Sequence, residues 1–97
     1  MLQHIVLFNW NDKASDAHAT LAANELSRYA STLDGLVSFY CGPTLALKEG
    51  TYDFGVAAVF EDVDAWQAYD TADEHNRIRA EYFGPYVETR AVIQFEI

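Results

Sequence analysis

The sequence predicts an α+β fold: a four-stranded antiparallel sheet with its helices on one face. Three observations predict it. First, the segments Leu2–Trp10, Leu36–Cys41, Tyr52–Phe60 and Arg90–Ile97 are rich in β-branched and aromatic residues and read as strands. Second, stretches with helical spacing of apolar residues follow the first and the third of these. Third, the opening strand, Leu-Gln-His-Ile-Val-Leu-Phe-Asn-Trp, is apolar on both faces at its middle, as a strand covered on both sides must be. The order β-α-β-β-α-β, with its last helix broken, is the ferredoxin-like split βαβ arrangement.

Taken in order, the first strand places His4, Val6, Phe8 and Trp10 on one face and Ile5 and Leu7 on the other, because side chains alternate along a strand. Ser15 is a good N-cap with Asp16 behind it in the first turn. The helix it starts carries Ala17, Leu21, Leu26, Tyr29, Ala30 and Leu33 toward one side, with His18 exposed in its first turn. Asp34-Gly35 stops it. In the second strand Val37, Phe39 and Cys41 oppose Leu36, Ser38 and Tyr40, and Gly42-Pro43 ends it. Thr44 to Thr51 is a surface loop.

The third strand holds small residues, Gly55, Ala57 and Ala58, where another group can approach closely. Asp62 caps the next helix, whose inner face is Val63, Trp66 and Tyr69. Asp70-Thr71-Ala72-Asp73 interrupts it, a second helical piece runs from Glu74 to Phe83, and Gly84-Pro85 closes that piece. The last strand alternates Ala91, Ile93, Phe95 and Ile97 with Val92, Gln94 and Glu96.

A chain of 97 residues makes one small domain. Chains of this size hide only roughly 60–65% of the surface the unfolded chain exposes. If His4, Val6 and Phe8 face the helices, Ile5 and Leu7 lie on a bare apolar sheet face, which is an association site. A homodimer, sheet face against sheet face, is therefore expected. The net charge of -9, with 6 Lys+Arg against 15 Asp+Glu, repels phosphate backbones and anionic lipid, so neither nucleic acid nor a membrane is an expected partner. The single cysteine, Cys41, excludes an internal disulfide and all but excludes a cysteine zinc site. With no targeting or membrane-spanning segment in the sequence, a reduced cytoplasmic setting is expected.

One constellation carries chemistry: His4 on the first strand, with Tyr69 and His75 flanking the helix break. A phenol can donate to a carbonyl oxygen while an imidazole, with a reference pKa of about 6.5, removes a proton. Equally, Tyr69 can be a core aromatic, His75 a polar residue at a helix start and His4 a satisfied core histidine. There is no nucleophile elbow, phosphate-cradling glycine loop or two-histidine helical metal motif. Asp70, Asp73, Glu74 and His75 offer metal-type ligands but read as helix caps, so no metal and no cofactor is expected.

The opening Met1–Trp10, the Tyr52-Asp53-Phe54 start of the third strand, the Tyr69 to His75 segment and Val92-Ile93-Gln94-Phe95-Glu96 resemble the stress-responsive A/B barrel domain family, in order and across essentially the whole chain, residues 1–97. The resemblance implies a dimeric α+β barrel. It also implies relatives that range from plant stress-stable proteins and bacterial members without a known activity to a plant polyketide cyclase of the olivetolic acid type. In that cyclase a tyrosine and a histidine six residues later run an aldol condensation, and the Tyr69 to His75 spacing is similar, with His4 matching a pocket histidine. Two positions depart. The family's frequent His-Pro-Ala-His is here Ala72-Asp73-Glu74-His75, and Phe54 stands where the cyclase has a third-strand histidine.

Two functions stay open. One is a homodimer binding a small apolar or polyketide-like ligand between helices and sheet, or otherwise stress-associated. The other is a cofactor-free polyketide cyclase or lyase in which His75 transfers the proton, Tyr69 polarises a carbonyl and His4 positions. In either, Val6, Phe8, Trp66 and Ile78 are the expected apolar walls.

Overall fold

The computed structural model describes residues 1–97. In chain order the elements are strand β1 (Leu2–Trp10), helix α1 (Asp16–Ala30), strands β2 (Leu36–Pro43) and β3 (Phe54–Phe60), helix α2 (Val63–Thr71), helix α3 (Asp73–Ile78), a π-helical turn (Arg79–Phe83) and strand β4 (Val87–Glu96). The sheet is antiparallel throughout, in the order β2-β3-β1-β4. This is the expected ferredoxin-like arrangement. No helix is long and apolar enough to cross a membrane.

Central strand β1 shows the expected two-residue period. Leu2, His4, Val6 and Phe8 are buried beneath the helices, while Gln3, Ile5 and Leu7 are half-buried on the opposite face. His4 lies across from Ala58 on β3 and Gln94 on β4. Phe54, Val56, Ala58 and Phe60 of β3 continue the inner face and pack with Ala22, Leu26 and Tyr29 of α1 into one core. Fully burying an aliphatic or Phe side chain is worth about 1.5–3 kcal/mol, so this layer supplies much of the drive to fold.

Apart from shifted ends of the strands and of the second helical piece, four local details differ from the sequence-based expectation. Helix α1 turns Ala19, Ala22, Leu26, Tyr29 and Ala30 inward, while Ala17 and Leu21 face solvent. The inner stripe leads with alanine at its N-terminal end and with Leu26 and Tyr29 further on. His18 is half-buried, its ring stacked on Tyr86 at 3.7 Å and edge-on to Trp10 at 5.3 Å. On β2 the register shifts between Leu36 and Ser38, so Leu36 joins Phe39 and Cys41 on the inner side and Val37 is pushed outward. Val63 is exposed at the start of α2, and Ala65, Trp66 and Tyr69 form its inner side.

Helices crowd over β2 and β3 but do not close over β4. Val92, on the inner side of β4 opposite Val6, is consequently 46% exposed. The gap between β4 and the α2–α3 unit opens into a cavity.

Candidate functional site

That cavity has a volume of about 780 Å³ and is walled mainly by apolar side chains, among them Val6, Phe8, Trp66, Ile78 and Val92. His4, Tyr69 and His75 all line it, together with Asp70, Arg79, Arg90 and Gln94. All seven of the residues singled out in the sequence therefore meet at one cavity. Ring centroids are 5.9 Å apart for His4 and Tyr69 and 4.3 Å for Tyr69 and His75.

The helix break sets this geometry. Ala72 is extended (φ -62, ψ 144), so the helical hydrogen-bond ladder stops between α2 and α3. A helix that ends leaves its last carbonyls without partners. Here side chains take the place of the missing turn. The Tyr29 hydroxyl donates to the Tyr69 carbonyl at 3.0 Å, His75 Nδ1 to the Asp70 carbonyl at 3.2 Å, and Arg79 Nη1 to that same carbonyl at 3.1 Å. His75 stacks on Tyr29 with centroids 5.7 Å apart and planes 13° off parallel. Arg79 also ion-pairs with the Asp70 carboxylate. The imidazole is thus held against the Tyr29 and Tyr69 rings by its bond to the end of α2.

Those hydrogen bonds assign protons. A carbonyl only accepts, so His75 carries its proton on Nδ1 and presents a free lone pair on Nε2. Gln94 Nε2 only donates, and it lies 2.9 Å from His4 Nδ1, so neutral His4 carries its proton on Nε2. Burial holds the His4 pKa down to about 4, against a smaller opposing pull from Asp70. Burial, and then the positive Arg79, likewise lowers His75. Burial raises the Tyr69 phenol well above its usual range. Near neutral pH the site therefore holds one uncharged base and two uncharged donors.

Gln94, Tyr29, Arg79 and Arg90 belong to the site although the sequence reading assigned them no role. Strand register was the signal for two of them: in the β1–β4 pairing Gln94 opposes His4 and Arg90 opposes Phe8. Trp66 adds a buried indole N–H without an acceptor. No three His, Cys, Asp or Glu side chains converge as a metal site: Asp70 is held by Arg79 and Glu74 by Arg77. Cys41 is half-buried between the Ser27 hydroxyl and the Ala23 carbonyl, and burial raises its pKa, which keeps it a thiol.

Comparison with known proteins follows the same outline. The family model described as Stress responsive A/B Barrel Domain matches residues 2–97. A search of curated proteins finds no match. Among solved structures, a dimeric ferredoxin-like protein of unknown function from Thermobifida fusca superimposes with a TM-score of 0.91 at 29% identity, covering 99% of this chain and 90% of that one. A Dabb family protein with a ferredoxin-like fold from Mesorhizobium loti gives 0.80 at 20% identity, over 99% and 95% of the two chains. Hydroxynitrile lyase from Passiflora edulis gives 0.83 at 14% identity, over 99% and 92%, a likeness of fold alone.

Proposed function

This chain belongs to the stress responsive A/B barrel domain family, and from that premise we propose that it acts as a homodimer that binds a small apolar or polyketide-like ligand between helices and sheet. The observation that carries the reading is the cavity of about 780 Å³ in which three uncharged polar rings converge on apolar walls. Pockets of this size and lining hold small molecules by burying their apolar surface, with a few polar groups fixing orientation. The dimer is supported by the open sheet face. There Tyr40, Ile93 and Phe95 are 75%, 54% and 45% exposed beside half-buried Ile5, Leu7 and Val59. A reduced, cytoplasmic setting suits the single half-buried thiol.

The assigned protons favour a second reading, a cofactor-free cyclase or lyase. His75 Nε2 would take a proton from a carbon beside a carbonyl, and the bond electrons would pass to the carbonyl oxygen. Tyr69 O–H and His4 Nε2–H would donate hydrogen bonds to that oxygen as charge builds on it. The enolate carbon would then form a bond to a second carbonyl carbon, and the new alkoxide would recover the proton from His75. This step needs no oxidant and no metal, and every group in it is already in its working protonation state.

The two readings separate in one set of measurements. Titration with 4-hexylresorcinol, followed through tryptophan fluorescence, reports binding; α-hydrogen exchange of hexanoyl-N-acetylcysteamine in deuterium oxide, followed by NMR, reports proton transfer. Binding that is abolished in Val92→Trp supports the cavity reading, and absence of binding to the wild type sinks it. Exchange above background that falls about 10²–10⁴-fold in His75→Ala supports the enzyme. Exchange equal to background leaves the binding protein alone.

A further inference from the structure

The chain carries only 6 lysines and arginines among 97 residues, and their placement is informative. Arg28, Arg77 and Arg79 are held in ion pairs with carboxylates, and Lys13 and Lys48 lie exposed outside the helices and strands. Arg90 alone lines the cavity with no ion pair and no side-chain hydrogen bond. Its position follows from register. On β4, Arg90, Val92 and Gln94 face inward opposite Phe8, Val6 and His4. The inner face thus reads cation, apolar, amide, and the polar rings stand at the amide end. Four residues of strand at about 3.3 Å each place the Arg90 and Gln94 backbones about 13 Å apart. Between them the walls are Val6, Phe8, Ile78 and Val92.

We propose that the ligand of this cavity is an elongated apolar carboxylate, its acid group paired with Arg90 and its far end at the His4–Tyr69–His75 rings. The inference rests on the reading that the cavity holds a small ligand, and it adds the ligand's charge, length and orientation. A guanidinium matches a carboxylate through two parallel N–H donors, which fixes direction as well as adding affinity. The overall negative charge of the chain does not oppose this. It is screened over about 8 Å at physiological salt, whereas the Arg90 contact is local. Arg79, the other cation at the cavity, is neutralised by Asp70 and stands at the ring end, so the cavity has one free cationic pole. A chain of about ten carbons spans from the rings to the tip of the Arg90 side chain, given roughly 13 Å between the two backbone positions.

Decanoate and decan-1-ol test this: they share a chain and differ in charge. Each is titrated into wild type, Arg90→Gln and Val92→Trp, with tryptophan fluorescence reporting binding. Arg90 is exposed at its position, so its substitution leaves the core untouched. Expected is about tenfold tighter binding of decanoate than decan-1-ol by the wild type. In Arg90→Gln that preference should vanish, and Val92→Trp should bind neither. Added salt should narrow the wild-type gap. Equal binding of both probes by the wild type, or a preference that persists in Arg90→Gln, overturns the inference while leaving the cavity reading in place. Decanoate binding that survives in Val92→Trp places the anion elsewhere and also overturns it. If neither probe binds the wild type, both the inference and the cavity reading fall.

Discussion

His4 and His75 occupy one cavity with their protons on opposite nitrogens, and each is fixed by a single partner, the Gln94 amide or the Asp70 carbonyl. The same burial that keeps them uncharged makes stability depend on pH. Above pH 6.5 His4 is neutral in the folded and unfolded chains alike; below it the unfolded chain gains the proton, while the native site resists until about pH 4. The stability that His4 contributes is therefore fully present above pH 6.5 and lost as the pH falls toward 4, by a few kcal/mol at about 1.4 kcal/mol per unit. His75, also lowered by burial, acts in the same direction. Urea midpoints measured from pH 7 to pH 4 should fall less steeply in His4→Gln than in the wild type; parallel slopes would show that this ring is not titrating out of reach of water. Tyr69→Phe keeps the buried ring and removes only the hydroxyl. It should leave the thermal midpoint within a few degrees while weakening 4-hexylresorcinol several-fold in the fluorescence titration.

At the scale of elements, the break at Ala72 and the turn at Gly35 position everything else. Gly35 has φ +76, and a Cβ built there would lie 2.7 Å from the Ala65 methyl on α2. Its carbonyl also accepts from Glu61 N–H at 2.8 Å, which pins the α1–β2 turn against the start of α2. Gly35→Ala must bear a left-handed backbone, about 1–2 kcal/mol, and the clash besides. A loss of roughly 2–4 kcal/mol in urea unfolding is expected, and a change under 1 kcal/mol would mean the turn is softer than the packing implies. Ser15, whose hydroxyl accepts from His18 N–H at 3.1 Å, gives a smaller effect: Ser15→Ala should cost about 1 kcal/mol by the same measurement. The arginine-glutamate network joining α1 to α3, with Arg77 to Glu25 at 2.7 Å, is half-exposed and ranks below both.

Across the whole molecule, the two faces of the sheet have separate roles. The inner face, only partly covered, leaves the cavity; the outer face stays apolar and open. Ile93 is exposed on that outer face, so Ile93→Glu should leave the fold intact. Sedimentation should then show a wild-type dimer and an Ile93→Glu monomer at micromolar concentration, since a charge buried without a partner in an interface is costly. A wild-type monomer under those conditions would remove the dimer from the proposal.

Alternation and spacing were enough to assign element types and the two faces of β1 and β4, because the two periods put side chains on faces without reference to distant residues. The Ser15 and Asp62 caps were legible for the same reason: both act within one turn. What sequence could not decide depends on partners far along the chain. The bulge at Val37, the inner face of α1 and the π-helical turn at Arg79–Phe83 are departures that no pattern within a single element marks. The protonation of the two histidines came only with Gln94, 90 residues from His4 in sequence, and with a carbonyl freed by the helix break. A periodic pattern tells a residue which way to face; only the folded chain tells it what it meets there.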